Sequence, residues 1–176
     1  MMAYEYHVDA NDQISHVSES WLAFAQANGC PELTREAVVG NPLWLYVDGI
    51  EVKALYMHLF EKVRDGGQSV RIPFNCDSPE LRRFMRLDIV PRDKGALNLT
   101  GVLLREEQRS EVRLFDASAP RSTALLYCCS WCKRIKVTES NWVSVEDAIR
   151  DAGLFDSATM PRLSHGICPE CACQWK

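Results

Sequence analysis

The chain has 176 residues and a mass of 20.0 kDa, with 20 basic and 24 acidic side chains. A hydrophobic content of 47% with 25% charged residues is typical of a folded globular protein and excludes a largely disordered one. The net charge of -4 provides no basic surface for phosphate contacts, so nucleic-acid binding is not expected as a main role. Neither a long apolar stretch nor an apolar leader after a basic start occurs, so we expect a cytoplasmic protein without a membrane segment.

The motifs of several enzyme classes are missing. The sequence has no glycine-rich phosphate loop, no G-x-S-x-G motif and no H-E-x-x-H motif. These absences argue against a nucleotide hydrolase, a serine hydrolase and a zinc protease of the corresponding families. No other pairing of a nucleophile with a base is recognisable, so we expect a protein that is not an enzyme and assign no catalytic residues.

The N-terminal part of the chain predicts an α+β domain. Ser18 is a candidate helix N-cap, and apolar residues recurring at helical spacing from Val52 predict the longest helix. Alternating apolar residues predict strands with one covered face. In chain order the predicted segments are strands at 4–8 and 13–17, a helix from 18 to 29, an irregular stretch from 30 to 47, a helix from 52 to 65, and strands at 70–74, 85–89 and 97–100.

This order of elements resembles a PAS domain over residues 4–106. The residues that carry the resemblance are SESW at 18–21, GNPLW at 40–44, LYMHLF at 55–60 and FNCDS at 74–78. The resemblance implies a five-stranded antiparallel sheet with flanking helices and a pocket between sheet and helices. It also implies a domain that senses a ligand, carries haem or flavin, or pairs with other proteins. The occupant of such a pocket is not predicted.

Histidine and cysteine positions indicate whether the PAS-like domain could hold haem or a photochemically active flavin. Haem needs an axial ligand, but His58 falls on the polar side of its predicted helix, and His7 and His16 lie on short strands. Flavin photochemistry in PAS domains uses a cysteine at the start of a helix, whereas Cys76 follows a predicted strand. A haem- or flavin-loaded sensor is therefore kept as an alternative only.

Cysteine usage is the unusual feature of the composition. Eight cysteines occur, and six of them lie between 128 and 173. In a reducing cytoplasm such a cluster indicates metal ligands or redox groups rather than structural disulfides. Cys129 and Cys132 form one C-x-x-C pair, and Cys168 and Cys171 form a second pair 35 residues further on.

Four thiolates are a typical ligand set for Zn²⁺, and a closed set of four leaves no open position for catalysis. We therefore predict a structural zinc site formed by these four cysteines. The basic residues after the first pair are expected to offset the thiolate charge; they are Lys133, Arg134 and Lys136.

Other uses of the sulfurs stay open. Iron–sulfur binding uses the same ligand type, and Cys128, His165 or Cys173 could replace one ligand. A redox dithiol is less favoured, because Trp131 lies inside the pair and we expect no βαβ unit around it.

The residues between the two pairs predict a small folded module. A capping box at Ser144 is followed by a short helix whose apolar stripe is Val145, Ala148, Ile149 and Ala152. The aromatic and aliphatic residues expected in its core are Trp131, Trp142, Leu154, Phe155 and Trp175. So small a core is marginal alone, and metal binding is expected to hold it folded.

Residues 127–171 also resemble a cysteine cassette found after PAS and GAF domains in bacterial sensory proteins of the two-component type. The matching segments are CSWCKRIK at 129–136, WVSVE at 142–146 and LSHGICPEC at 163–171. The resemblance implies a signalling context, with a histidine kinase or a response regulator as a candidate partner, but no reaction.

Polar composition marks a linker between the two parts, although Val112, Leu114 and Phe115 could dock it. The predicted organisation is a PAS-like sensory domain at 1–107, a linker at 108–123 and a zinc module at 124–176. We expect a sensory or signalling adaptor that acts by ligand- or partner-dependent protein interaction, as a homodimer. The alternatives are a thiol and zinc redox sensor and the cofactor-loaded PAS sensor.

Overall fold

The computed structural model describes residues 2–154 and 157–174. The chain forms two compact units. The first comprises Met1–Asp48, Lys53–Phe74 and Phe84–Arg105, and the second comprises Gly49–Val52, Asn75–Arg83 and Glu106–Lys176. The predicted core residues Phe155 and Trp175 lie outside the described residues.

A five-stranded antiparallel sheet forms most of the first unit, with the strand order β2-β1-β5-β4-β3. Strand β1 pairs with β5 from Ala3 opposite Val102 to Val8 opposite Leu97. Alternate residues of the later strands are buried, as predicted; Ile72, Met85, Leu87, Ile89, Leu97 and Leu99 are all 4% exposed or less. The strands are β1 (Ala3–Val8), β2 (Ile14–Val17), β3 (Val70–Asn75), β4 (Leu81–Pro91) and β5 (Leu97–Gln108).

Three helices lie between β2 and β3 in the chain: α1 (Glu19–Ala27), α2 (Arg35–Val38) and α3 (Ile50–Gly66). The apolar stripe predicted for α3 is confirmed, since Leu59, Phe60 and Val63 are buried. Helix α2 falls in the stretch predicted to be irregular, because four residues are too few to produce a periodic pattern. Short 3₁₀ turns occupy Leu43–Leu45, Asp93–Gly95 and Arg113–Phe115.

The sheet and the position of its helices agree with the PAS resemblance. Two strands precede the helices, three strands follow them, and the first and last strands of the chain order pair at the centre of the sheet. The fold is therefore PAS-like. Inside the first unit, Tyr6 of β1 and Tyr56 of α3 share a hydrogen bond, and burial raises the pKa of both phenols, that of Tyr56 to about 12.

The predicted N-cap of α1 is present. The Ser18 side chain accepts a hydrogen bond from the Trp21 backbone N–H at 3.2 Å. We expect Ser18→Ala to destabilise the protein by about 1 kcal/mol or more, because that N–H and the Glu5 N–H, which donates to the same oxygen at 3.1 Å, both lose their acceptor. Urea denaturation measures this cost, and Ser15→Ala, at an exposed position of β2, is the control. Equal unfolding midpoints for the two variants would contradict the capping role.

The second unit contains a four-stranded sheet of order β8-β7-β6-β9. Strands β6 and β9 are parallel, whereas β7 pairs antiparallel with both β6 and β8. The elements are β6 (Arg121–Cys129), β7 (Ile135–Lys136), β8 (Trp142–Val143), α4 (Val145–Asp151), β9 (Met160–Gly166) and α5 (Pro169–Cys173).

The parallel pair corrects one expectation. No βαβ unit was expected around the cysteines, yet β6 and β9 are parallel and α4 lies in the connection between them. Parallel strands need such a crossover connection, and a helix usually supplies it. Pairing between strands so far apart in the chain leaves no local sequence pattern, so the sequence does not predict it.

The core of the second unit draws on more of the chain than the predicted module. Val112, Leu114 and Ala119, all within the predicted linker, are buried with residues of β6, β7, α4 and β9. Docking of the linker by Val112 and Leu114 is thus confirmed. Of the predicted stripe of α4, Val145, Ala148 and Ile149 are buried and Ala152 is exposed. Trp131 is buried, and Trp142 and Leu154 are partly buried.

Among the described residues, no helix has both the length and the apolar content that crossing a membrane would require.

Candidate metal centre

Strand pairing brings the two distant C-x-x-C pairs together. In the parallel β6–β9 pair, Cys129 lies opposite Gly166, so both strands end at the same edge of the sheet. The chain then turns through Cys132 after β6, and through Cys168 into α5 after β9. The Ser130 N–H donates to the Gly166 carbonyl at 2.9 Å and joins the two turns.

The four predicted sulfur ligands lie in one cluster. The Sγ atoms of Cys129, Cys132, Cys168 and Cys171 are all within 4.8 Å of one another, and those of Cys132 and Cys168 are 3.6 Å apart. A tetrahedron with Zn–S bonds of about 2.3 Å has S–S edges of about 3.8 Å. The spacing therefore fits a tetrahedral ion, and it is too long for a disulfide bond of about 2.05 Å.

Backbone amides point at two of these sulfurs. The Cys168 N–H donates to Cys129 Sγ at 3.4 Å, and the Cys171 N–H donates to Cys168 Sγ at 3.5 Å. Cys168 is the N-cap of α5, with Pro169 at its start. Such bonds favour the thiolate over the thiol, since the thiolate is the stronger acceptor.

The thiols share their protons unequally. Hydrogen bonds from Cys132 and Cys171 hold the pKa of Cys129 far below its usual range. The same bonds raise the pKa of Cys132 to about 12 and raise that of Cys171, because each donates its proton to Cys129. If these four cysteines held a metal ion as thiolates, the shared protons would be released.

Two contacts around the cluster were not predicted. The Glu51 carboxylate accepts a hydrogen bond from the Ile167 N–H at 3.0 Å, just before Cys168. The Asn75 N–H donates to the Trp131 carbonyl at 2.6 Å, inside the other turn. Both partners are more than 50 residues away in sequence, so no local pattern could have indicated them.

The three basic residues after the first pair have different surroundings. Arg134 forms an ion pair with Glu170, and the hydrogen bond to Glu170 is the main cause of the raised pKa of Arg134, to which the nearby Cys132 and Cys168 add smaller contributions. Lys133 donates to the Ser130 carbonyl at 2.8 Å, and Lys136 lies over the Tyr127 ring. Of the three, Arg134 thus has the clearest electrostatic interaction with the sulfurs.

The alternative ligands lie outside the four-sulfur cluster found among the described residues. Cys128 is buried, its Sγ lies 3.6 Å from the Cys129 carbonyl oxygen, and burial raises its pKa to about 11. Cys173 is exposed, whereas Cys30 and Cys76 are partly buried. His58 is exposed, as predicted.

Gly49 approaches the end of strand β9 closely. Its φ is +86°, and a Cβ there would lie 2.8 Å from the His165 backbone oxygen. We expect Gly49→Ala to destabilise the protein by about 2–3 kcal/mol, since left-handed backbone and a clash with backbone add together.

The matched control is Gly153→Ala, where φ is +63° and no atom of the described residues lies within 4 Å of the added carbon. It carries the backbone cost alone, about 1 kcal/mol. Thermal unfolding compares the two variants, and equal midpoints would contradict a tight contact at Gly49.

Comparisons with known proteins add a structural likeness only. No protein-family model matches the chain, and no curated protein matches it. A domain of an HTR-like protein from Haloarcula marismortui is 16% identical with a TM-score of 0.42, covering 58% of this chain and 98% of that one.

Two further solved structures each match 58% of this chain. The photoactive yellow protein domain of the sensor histidine kinase Ppr from Rhodospirillum centenum is 13% identical, with 92% of that chain covered and a TM-score of 0.44. The PAS domain of Bordetella pertussis BvgS is 12% identical, with 73% covered and a TM-score of 0.40. At this level the likeness says nothing of function, and the PAS-like description rests on the strand order.

Proposed function

We propose that this protein is a cytoplasmic sensory or signalling adaptor that joins a PAS-like unit to a structural zinc module. It acts through ligand- or partner-dependent protein interaction and not by catalysis. The observation that carries the proposal is the convergence of four cysteine sulfurs, from two distant turns, within 4.8 Å of one another.

Zinc is the ion proposed for this cluster because four sulfurs at tetrahedral spacing form its usual structural ligand set. Three of the four cysteines are buried and Cys132 is partly buried, which suits a closed site. Iron with the same ligands would give a brown protein, so the absorption spectrum distinguishes the two metals.

The signalling role is supported by the PAS-like fold and by the resemblance of residues 127–171 to a cassette of sensory proteins. A histidine kinase or a response regulator is the proposed partner, and a homodimer is the proposed assembly. The domain boundaries 1–107, 108–123 and 124–176 stay a prediction. Within the predicted linker, however, Val112, Leu114 and Ala119 pack into the core of the second unit.

Gene replacement in the host organism tests this role. Relative to the wild type, cells carrying Cys132→Ser and cells lacking the gene should show altered levels of the same set of transcripts. Cells carrying Cys30→Ser should have the transcript levels of the wild type. A deletion without any effect on transcripts, or a Cys132→Ser strain identical to the wild type, would contradict a signalling role that depends on the zinc module.

A redox sensor is the second candidate, because Cys132 is partly exposed and its Sγ lies 3.6 Å from that of Cys168. Hydrogen peroxide and two protons would convert these two zinc-bound thiolates into one disulfide and two waters, with release of Zn²⁺. Mass spectrometry after treatment with equimolar peroxide tests it. A reversible disulfide between Cys132 and Cys168 supports this candidate, and retained zinc with four thiolates rules it out.

A further inference from the structure

The second unit contains a cleft of about 510 Å³ whose lining includes none of the four clustered cysteines. This volume suits a small organic molecule, since ligand sites usually measure about 300–1,000 Å³. Its walls include three cationic side chains, Arg121, Lys133 and Arg162, and three apolar ones, Leu114, Phe115 and Leu163. Such a lining presents positive charge and apolar surface to the same molecule.

The three cations have no carboxylate partner within 4 Å among the described residues, although ion pairs join many other arginines of this chain. Arg121 is held in place by its bonds to the carbonyls of Leu114, Asp116 and Pro161, at 2.6–3.1 Å. Those bonds position the guanidinium and leave its charge in the cleft.

Lys133 also keeps donors for a ligand. One N–H of its ammonium is taken by the Ser130 carbonyl at 2.8 Å, which leaves two of three for another acceptor. Arg162 is exposed, so its charge lies where the cleft meets solvent.

The acid on the cleft wall, Asp77, is already paired with another cation, Arg109. Its carboxylate is only 2% exposed and accepts a bond from the Arg109 guanidinium at 3.1 Å, which neutralises it. Three cations that form no ion pair among the described residues therefore line one cleft, in a chain whose net charge is -4. A local excess of positive charge against the overall sign points to an anion.

We propose that this cleft binds a small organic carboxylate with an apolar body. The carboxylate lies against Arg121, Lys133 and Arg162, and the body lies against Leu114, Phe115 and Leu163. The inference does not require zinc to be the ion in the sulfur cluster, but it does require the second unit to be folded.

Calorimetric titration of the whole chain, with its metal content measured on the same sample, tests the proposal. The probe is hexanoate at pH 7 and low ionic strength, with hexan-1-ol as the neutral counterpart and inorganic phosphate as the anion without an apolar body. We expect saturable one-site binding of hexanoate, and at least about tenfold weaker binding of the other two. Equal binding of hexan-1-ol would overturn the role of charge, and equal binding of phosphate would overturn the role of the apolar wall.

Charge reversal locates the site. Arg162→Glu should weaken hexanoate binding at least about tenfold, whereas Lys62→Glu, also a reversal of charge but at an exposed position of α3, should leave it unchanged. Circular dichroism checks that both variants fold, and Arg162→Gln replaces Arg162→Glu if the latter does not. If Arg162→Glu bound hexanoate as tightly as the wild type, the proposed site would be wrong. The same holds if the metal-loaded wild type showed no saturable binding of hexanoate. Either result would leave the zinc proposal intact.

Discussion

Cys168→Ser is expected to abolish metal binding and to unfold the C-terminal part of the second unit. The serine hydroxyl still caps α5, because serine is a favoured N-cap residue, so the variant removes one metal ligand and little else. Structural zinc contributes on the order of 10 kcal/mol to folding, more than the whole stability of many small domains. We therefore expect rapid protease cleavage between 124 and 176 while an N-terminal fragment persists.

The matched control for this variant is Cys173→Ser. Cys173 is exposed, follows the second pair directly and is not a member of the four-sulfur cluster. It should keep both its metal and its protease resistance. Loss of metal in the control would show alternate ligation, and equal protease resistance of Cys168→Ser and the wild type would contradict a metal-dependent fold.

Arg109→Met is expected to have the next largest effect. The Arg109 side chain is 8% exposed and donates to Asp77 at 3.1 Å, to the Ser78 carbonyl at 2.6 Å and to the Pro79 carbonyl at 3.3 Å. Its guanidinium also lies 5.1 Å from the centre of the Phe115 ring. Removing it leaves the buried Asp77 carboxylate without its cation, which costs about 3–5 kcal/mol.

The pH dependence of this cost has a definite sign. Burial raises the pKa of Asp77, and Arg109 opposes that rise. Without Arg109 the folded protein binds the Asp77 proton more tightly than the unfolded chain does, so stability falls as the pH rises through the raised pKa. Urea denaturation should show a larger loss at pH 7 than at pH 4.

Two variants serve as controls for Arg109→Met. Arg150→Met removes an arginine whose ion pair with Asp147 is exposed, and we expect no measurable change in its unfolding midpoint. Asp77→Asn combined with Arg109→Met should recover part of the lost stability, because no buried charge is then left unpaired. A double variant as unstable as Arg109→Met, or equal losses at both pH values, would contradict this role of the ion pair.

Features that depend on neighbouring residues were predictable from the sequence. The caps at Ser18 and Ser144, the strands with alternating burial and the apolar face of α3 all follow from local spacing. The four cysteines were also predictable as a set, because a C-x-x-C turn brings two sulfurs together and the chemistry of zinc requires four. Their role as ligands stays a prediction.

Features that depend on distant residues were not predictable in the same way. Neither the parallel pairing of β6 with β9 nor the contact of Glu51 with Ile167 has a signal in local sequence. The ion pair of Arg109 and Asp77 joins the start of a polar stretch to a loop 32 residues earlier. Polar composition indicated a linker at 108–123, but Leu114, 0% exposed, is part of the core there.

The metal content of the protein as purified, without added metal, tests the central claim most directly. Native mass spectrometry of the whole chain should find one zinc ion, and alkylation without denaturant should spare Cys129, Cys132, Cys168 and Cys171 while it labels the exposed Cys173. A folded chain that carries no metal, with these four thiols open to alkylation, would contradict the account.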